Sequence, residues 1–339
     1  MTGDRAYRAD LMLDQAGWKA AVRQHLSGDA SDRSYLRLIL NQKTAILMDA
    51  PPGKGDDPRD FARIASHLRA LGLSAPEVIA ADFDHGFLLL EDLGDGIFAR
   101  LVAEDPAREL PLYQAASGVL LHLQSAPAPE SLPDLSAADW AEAATFALDW
   151  YRRAILGDPG DREAFIQCLT ETLVRLADGP RVLILRDYHA ENLLWMDQRT
   201  GLAQVGLLDF QLAQMGQPVY DLVSLLQDAR RDVAPETEAA VREEFRKALH
   251  LPADSFAAGY AALGAQRALR ILGIFARLCM VAGKPGYLRL VPRVWGQLQR
   301  NLSHPELAEL ARLCARLLPE PTPEALARIE SRCPELPKP

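Results

Sequence analysis

The chain has 339 residues, 49% of them apolar, and a formal net charge of -9. An acidic chain without clustered positive charge argues against a nucleic-acid partner, because binding a phosphate backbone requires a basic surface. The length exceeds that of one compact core, so two lobes are expected. The opening "MTGDRAYRADLMLDQAGWKAA" carries charges throughout and has no apolar core like that of a signal peptide. The longest apolar stretch, "ILGIFARLCMVAG" (271–283), is interrupted by Arg277 and is too short to span a bilayer. A cytoplasmic protein with no membrane partner is expected. Cys168, Cys279, Cys314 and Cys333 are far apart and form no C-x-x-C pair, as reduced core cysteines would be. Of 37 basic residues only six are lysine: Lys19, Lys43, Lys54, Lys247, Lys284 and Lys338.

The first part of the chain reads as strands with one or two helices. "SYLRLIL" (34–40) and "TAILMDA" (44–50) are apolar runs separated by the turn "NQK", a hairpin signal. "PPGKGDDP" (51–58) breaks the chain. Asp57 and Pro58 then open a helix, "RDFARIASHLRALG", which Gly72 ends. "PEVIAADF" and "GFLLLEDLG" are two more strand-like runs joined at "DHG". Beyond Gly94 helical periodicity dominates, at roughly 110–126, 136–155, 161–178, 219–230, 235–249, 254–282 and 287–301. One island interrupts it: "RVLIL" (181–185), "NLLWM" (192–196) and "QVGLLDF" (204–210), short apolar runs with "DQRTG" between the last two. The expectation is an α+β fold: a small β-rich N-lobe over residues 1–92, a hinge at "EDLGD", and a larger, mainly helical C-lobe over 93–339.

The island carries the chemistry. In "LRDYHAENLLW", Asp187 and Asn192 are five apart on a loop that leaves one strand and enters another. Asp209 follows seventeen residues beyond Asn192, at the end of the next apolar run. Two acids and an amide oxygen at adjacent strand ends can converge. Phosphoryl transfer needs such a set: a carboxylate to orient a hydroxyl proton, and oxygen ligands to hold Mg²⁺ against nucleotide phosphates. A lone Asp or Asn in a loop is ordinarily a turn former or a cap. The spacing, the apolar flanks and the acid followed by Phe210 together favour the functional reading. His189 matches no required role, and packing or a hydrogen bond within the loop accounts for it.

At these residues the chain resembles the aminoglycoside phosphotransferase-like kinases, which share the protein-kinase architecture and carry a catalytic loop H-x-D-x-x-x-x-N. The resemblance implies Asp187 as catalytic base, Asn192 as a Mg²⁺ ligand and Asp209 as the main Mg²⁺ ligand, with ATP as the phosphoryl donor. Leu185 stands where the family has its loop histidine. In "YDLVSLL" (220–226), Asp221 matches a structural acid, a cap or loop brace. "GFLLLEDLGD" resembles the hinge, where the backbone of Glu91 and Leu93 would hydrogen-bond an adenine. "SGDASDRSYLRL", whose only glycine is Gly28, occupies the place of the nucleotide-covering loop and the strand after it.

One departure concerns the phosphates. Kinases of this fold carry a lysine on the third strand that pairs with them, and here Met48 lines that place. Lys43, Arg33 and Arg37 are the candidate replacements, with Arg33 a cofactor-binding candidate.

Several segments, "LMDAPP" among them, are similar to those of bacterial anomeric kinases of cell-wall recycling, which phosphorylate N-acetylmuramic acid and N-acetylglucosamine at C1. A small-molecule sugar is therefore the expected partner. An anionic sugar calls for Arg or amide donors, and Arg230 with Arg231 are candidates for substrate binding, or else solvated residues at a helix end. In "DWYRR" (149–153), Trp150 or Tyr151 would stack a sugar ring unless the pair belongs to the core. The rivals are a kinase of an aminoglycoside or choline, whose cationic substrates call for an acidic pocket, and a nucleotide-binding pseudokinase, suggested by the missing lysine.

Overall fold

In the computed structural model residues 3–26 and 33–334 are described. Gly28 and the covering loop lie outside them. A helix, α1 (Gly3–Gln15), precedes strands β1 (Val22–Leu26), β2 (Ser34–Leu40) and β3 (Lys43–Asp49). The chain continues through α2 (Pro58–Ala70), β4 (Val78–Asp82) and β5 (Phe87–Glu91). The five strands form one antiparallel sheet in the order β1-β2-β3-β5-β4.

Side-chain alternation gives this sheet two faces. Leu38 on β2, Ala45 and Leu47 on β3, and Phe87 and Leu89 on β5 pack with Ala9, Met12 and Leu13 of α1. Arg5 binds Asp49, itself buried, and lies over the Phe87 ring at 4.5 Å. Tyr35, Met48 and Leu88 are cross-strand neighbours on the opposite face. Helix α2 begins where the sequence predicts: Pro58 occupies its first turn, and the Asp57 side chain accepts from the Arg59 amide. It ends as φ of Gly72 turns to +77°.

The remainder is mostly helical: α3 (Phe98–Glu104), α4 (Glu109–Ser125), α5 (Ala137–Ala144), α6 (Arg153–Leu156) and α7 (Arg162–Leu176), then β6 (Val182–Ile184), β7 (Leu193–Trp195), β8 (Val205–Leu207) and β9 (Gln214–Gly216). The chain finishes with α8 (Tyr220–Leu226), α9 (Pro235–Ala248), α10 (Ala253–Ala282), α11 (Val291–Leu302), α12 (Ala308–Leu317) and α13 (Pro323–Glu330). None of the described helices is long and apolar enough to cross a membrane.

Two compact units emerge, one formed by Met1–Ser131 with Leu185–Ala213, the other by Leu132–Ile184 with Gln214–Pro339. The first thus contains the five-stranded sheet and the β7–β8 hairpin. The second is built on α10, whose small residues admit close neighbours. A Cβ on Gly273 would sit 2.1 Å from the Phe146 backbone, and one on Gly259 would sit 2.9 Å from the Leu176 carbonyl oxygen.

Several sequence expectations are refined. The three apolar runs of the island are strands, divided between two two-stranded sheets. β7 pairs with β8, whereas β6 pairs with β9, a three-residue strand with no hydropathy signal of its own. The single helix expected over 136–155 is broken by a wide turn of π type at Ala147–Arg152. The helix expected over 219–230 stops at Leu226.

Candidate active site

The loop after β6 and the chain just past β8 each hold one left-handed residue, and backbone-directed hydrogen bonds fix the loop. Arg186 has φ +72° and Asp209 has φ +55°. For side chains other than glycine such conformations cost on the order of 1–3 kcal/mol each and persist only where the surroundings impose them. Asp is among the residues that tolerate this region best, because its short polar side chain bonds locally. Between these points Tyr188 is buried and its hydroxyl donates to the Ala116 carbonyl at 2.9 Å. The Ala99 amide donates to the Ala190 carbonyl at 3.1 Å. The loop is thereby fastened to α3 and α4.

Asn192 joins the three sequence-identified groups. Its side-chain Nδ2 donates to the Asp187 backbone carbonyl at 2.9 Å. Its own backbone carbonyl accepts from the Leu208 amide at 2.9 Å, one residue before Asp209. With Nδ2 directed at a carbonyl, Oδ1 is the remaining polar atom of the amide and is an acceptor only. Asp187 and Asn192 are half-buried and Asp209 is exposed. One Asp209 oxygen accepts from Gln211 Nε2 at 2.7 Å.

Beside Asp209, Phe210 is fully buried and stacks on Phe61 of α2 at 4.8 Å, with 23° between the rings. The Phe that follows the acid thus anchors the strand end while the acid faces outward. His189, buried, lies with Nε2 3.4 Å from Asn192 Nδ2. Packing and a contact within the loop account for it.

The oxygen set suits magnesium. One carboxylate and one amide oxygen are hard donors, too few to hold an ion unaided, and Mg²⁺ is ordinarily held by one or two carboxylates together with substrate phosphates and water. No group of three or more His, Cys, Asp or Glu that could hold a metal occurs among the described residues.

The residues expected at the nucleotide lie in the same unit. The Glu91 amide donates to the Glu77 carbonyl at 2.8 Å, and the Glu91 carboxylate meets Arg69 and Arg199. Leu93 is buried and packs with Leu194 and Met196 on the β7–β8 hairpin. Gly96 continues this link: its carbonyl accepts from the Trp195 amide at 2.7 Å, and an added Cβ would lie 2.3 Å from the Trp195 oxygen.

Met48 is fully buried. Of its candidate replacements, Lys43 is exposed at the opposite end of β3, five residues away or about 17 Å along the strand. Arg37 is engaged at the hinge: Nε meets Asp92 at 2.7 Å and Nη1 meets Asp95 at 2.9 Å. Arg33 is buried and meets Asp56 at 3.2 Å.

Arg230 and Arg231 belong to the second unit and lie in a bend four and five residues past α8. They are therefore not held at a helix end, because the helix stops early. The Arg230 amide donates to Asp228 at 2.7 Å and its carbonyl accepts from Arg293 at 3.1 Å. Asp221 is fully buried in the first turn of α8. Tyr151 belongs to the core, its hydroxyl donating to the Pro319 carbonyl at 2.8 Å, whereas Trp150 is half-buried beneath the Arg277 guanidinium at 5.7 Å.

Sequence reasoning passed over Asp56, Asp92 and Arg199. Each is an unremarkable surface-type residue whose partner is distant in sequence.

Comparison with known proteins identifies the family. Residues 22–265 match the model of the phosphotransferase enzyme family. The chain is 37% identical to an N-acetylmuramate/N-acetylglucosamine kinase of Caulobacter vibrioides, over 95% of this chain and 99% of that one. It is 35% identical to a Pseudomonas aeruginosa protein of the same name, over 86% of this chain and 87% of that one. Among solved structures it resembles a choline/ethanolamine kinase family protein from Mesorhizobium loti, with a TM-score of 0.60 at 15% identity, over 96% of this chain and 99% of that one. The α+β, protein-kinase-like fold expected from the sequence is the fold observed, and the chain belongs to the phosphotransferase enzyme family.

Proposed function

We propose that the protein is an ATP-dependent kinase that phosphorylates N-acetylmuramic acid, N-acetylglucosamine or both at the anomeric C1 hydroxyl, as a step in peptidoglycan recycling. The observation that carries the chemistry is the double tether of Asn192, to the Asp187 carbonyl and to the residue before Asp209. The substrate class rests on the names of the relatives that match nearly the whole chain.

Asp187 is the base. Half-buried on a loop fastened at Tyr188 and Ala190, it orients the sugar hydroxyl and takes up its proton. An anomeric hydroxyl is more acidic than an ordinary alcohol, so its proton need leave only late, and positioning carries much of the rate. Asn192 Oδ1 and the Asp209 carboxylate would hold Mg²⁺. When bound, that ion would neutralise charge on the nucleotide phosphates. The backbone of Glu91 and Leu93 lines the adenine position. Because the Glu91 amide already serves Glu77, a contact at Glu91 falls to its carbonyl. Arg230 and Arg231 are proposed to contribute positive charge toward the muramic carboxylate. The lobe boundary of this reading is at residue 92.

An ADP-release screen over amino sugars, aminoglycosides and choline tests the function, with NMR of the product to locate the phosphate. ADP release with the two N-acetylated sugars and phosphate at C1 is expected. Phosphate on another carbon removes the anomeric assignment. Turnover confined to aminoglycosides or choline moves the protein to a rival substrate class, and no ADP with any acceptor leaves the pseudokinase.

A further inference from the structure

The missing lysine leaves its site without either member of the usual ion pair. In protein kinases a third-strand lysine touches the phosphates and is itself held by a glutamate on the following helix. Here Met48 is fully buried, and α2, "PRDFARIASHLRA", has no glutamate. The buried residues of α2 are Pro58, Phe61, Ile64, Ala65 and Leu68, all apolar. An ammonium at position 48 would be desolvated with no such partner on that helix, a costly state. The cation and its acid have both been replaced.

A second pair stands close by. Arg33 directly precedes β2, and its side chain is only 5% exposed. It meets the carboxylate of Asp56, which lies in the loop between β3 and α2 and is 39% exposed. Arg33 is two residues before Tyr35, and successive side chains along an extended chain alternate between faces, so the two share one. Tyr35 is directly opposite Met48 across the β2–β3 ladder, and cross-strand partners share a face of the sheet. The guanidinium is thus on the Met48 side of the sheet and not on the side covered by α1. Tyr35 ionises less readily than a free phenol, first because it is buried, and the Asp209 carboxylate adds to that resistance while Arg33 opposes it.

We propose that Arg33, braced by Asp56, is the phosphate-binding cation of this site, taking over from the third-strand lysine the task of holding the nucleotide phosphates. The Arg33–Asp56 pair reproduces the lysine–glutamate arrangement from the other edge of the same strand pair. A planar guanidinium suits the task, since its fixed fork of donors matches the oxygens of a phosphate. The inference rests on ATP being the phosphoryl donor.

Titration calorimetry of the full chain with Mg²⁺ and the non-hydrolysable analogue AMP-PNP, and separately with adenosine, tests it. Arg33→Gln is expected to weaken AMP-PNP binding roughly 10- to 100-fold, the worth of a charge-assisted contact, and to leave adenosine binding unchanged. Arg33→Lys, which keeps the charge and loses the fork, is expected to fall between the two, and it serves in place of Arg33→Gln should that variant not fold. The KM for sugar should not move while the KM for ATP rises. AMP-PNP affinity within twofold of wild type in both folded variants overturns the assignment and leaves the kinase intact. Wild-type protein that binds neither nucleotide probe overturns the ATP reading and this inference with it.

Discussion

Asn192 Nδ2 donates to the Asp187 backbone carbonyl at 2.9 Å, so the two residues that define the loop motif are mechanically one group. The D-x-x-x-x-N spacing has a structural cause as well as a chemical one. The amide fixes the loop with its nitrogen and presents its oxygen elsewhere.

Removing that amide should therefore harm both stability and turnover. Asn192→Ala leaves the Asp187 carbonyl without this donor, a loss of about 1 kcal/mol in urea unfolding. The same variant should lower kcat far more than such a loss accounts for and raise the Mg²⁺ concentration needed for half-maximal rate. A variant with a lower unfolding midpoint and an unchanged Mg²⁺ requirement would show that Asn192 is only a loop brace.

Asp187→Asn should lower kcat about 10²- to 10⁴-fold, the usual contribution of a positioned base. Asp209→Asn should abolish turnover. Asparagine is the informative replacement at position 209, where φ is +55°, because it tolerates the left-handed region and alanine does not. Thermal unfolding should differ little from wild type in both. Kinetics of either variant near wild type would remove that residue from the mechanism.

Gly96→Ala should destabilise the protein by roughly 2 kcal/mol or more, because its Cβ would lie 2.3 Å from a backbone oxygen that is not free to move. Gly179→Ala is the control, with nothing within 4 Å of the added carbon. Chemical denaturation of the two variants compares them directly, and equal midpoints would mean that the Gly96–Trp195 contact is readily displaced.

Asp228 supplies a pH test in the second unit. Its carboxyl is 1% exposed and held above the usual carboxylate range by burial, which the Arg230 amide and the charges of Arg267, Arg230 and Arg231 only partly offset. One of its oxygens meets no hydrogen-bond partner among the described residues. A raised native pKa means that its stabilising contribution is complete below the unfolded pKa and is lost as pH rises through the native one. Asp228→Asn removes that dependence, so its thermal midpoint should gain on wild type as pH increases from 4 to 8. A gap that stays constant or shrinks across that range refutes the sign.

The four cysteines are free. Burial pushes the Cys279 and Cys314 thiols up to about 12, helped by Cys333 beside the first and Cys168 beside the second. A thiol-disulfide reagent at pH 8 should leave both unmodified in the folded protein and react with all four cysteines in guanidinium, since the thiolate is the reactive form. Labelling of Cys314 in native protein, located by mass spectrometry, would contradict its burial.

Much of the local structure was legible because it depends on neighbours in sequence. β2 spans 34–40 as the apolar run predicts, and Asp57 and Gly72 bracket α2 through its cap and its left-handed exit. Asp187, Asn192 and Asp209 stand out by spacing and flanks alone. Pairings across long intervals were not legible. β9 has three residues and no periodicity, and it exists because β6 is there to bind it. Arg37 has hinge partners 55 and 58 positions away in Asp92 and Asp95, so nothing near it distinguishes it from a solvated arginine.

The sequence by itself singled out the groups proposed to do chemistry, Asp187, Asn192 and Asp209, and a third strand without a lysine at position 48. Only the tertiary structure separates the three candidate cations, Arg33, Arg37 and Lys43, by what each one meets. Arg33, Arg37 and Lys43 are equivalent as charges in a string, but the β2–β3 register, the Asp56 carboxylate and the hinge acids separate them. A charge acts over a few ångströms through whatever dielectric surrounds it, and burial and distance are properties of the folded chain alone.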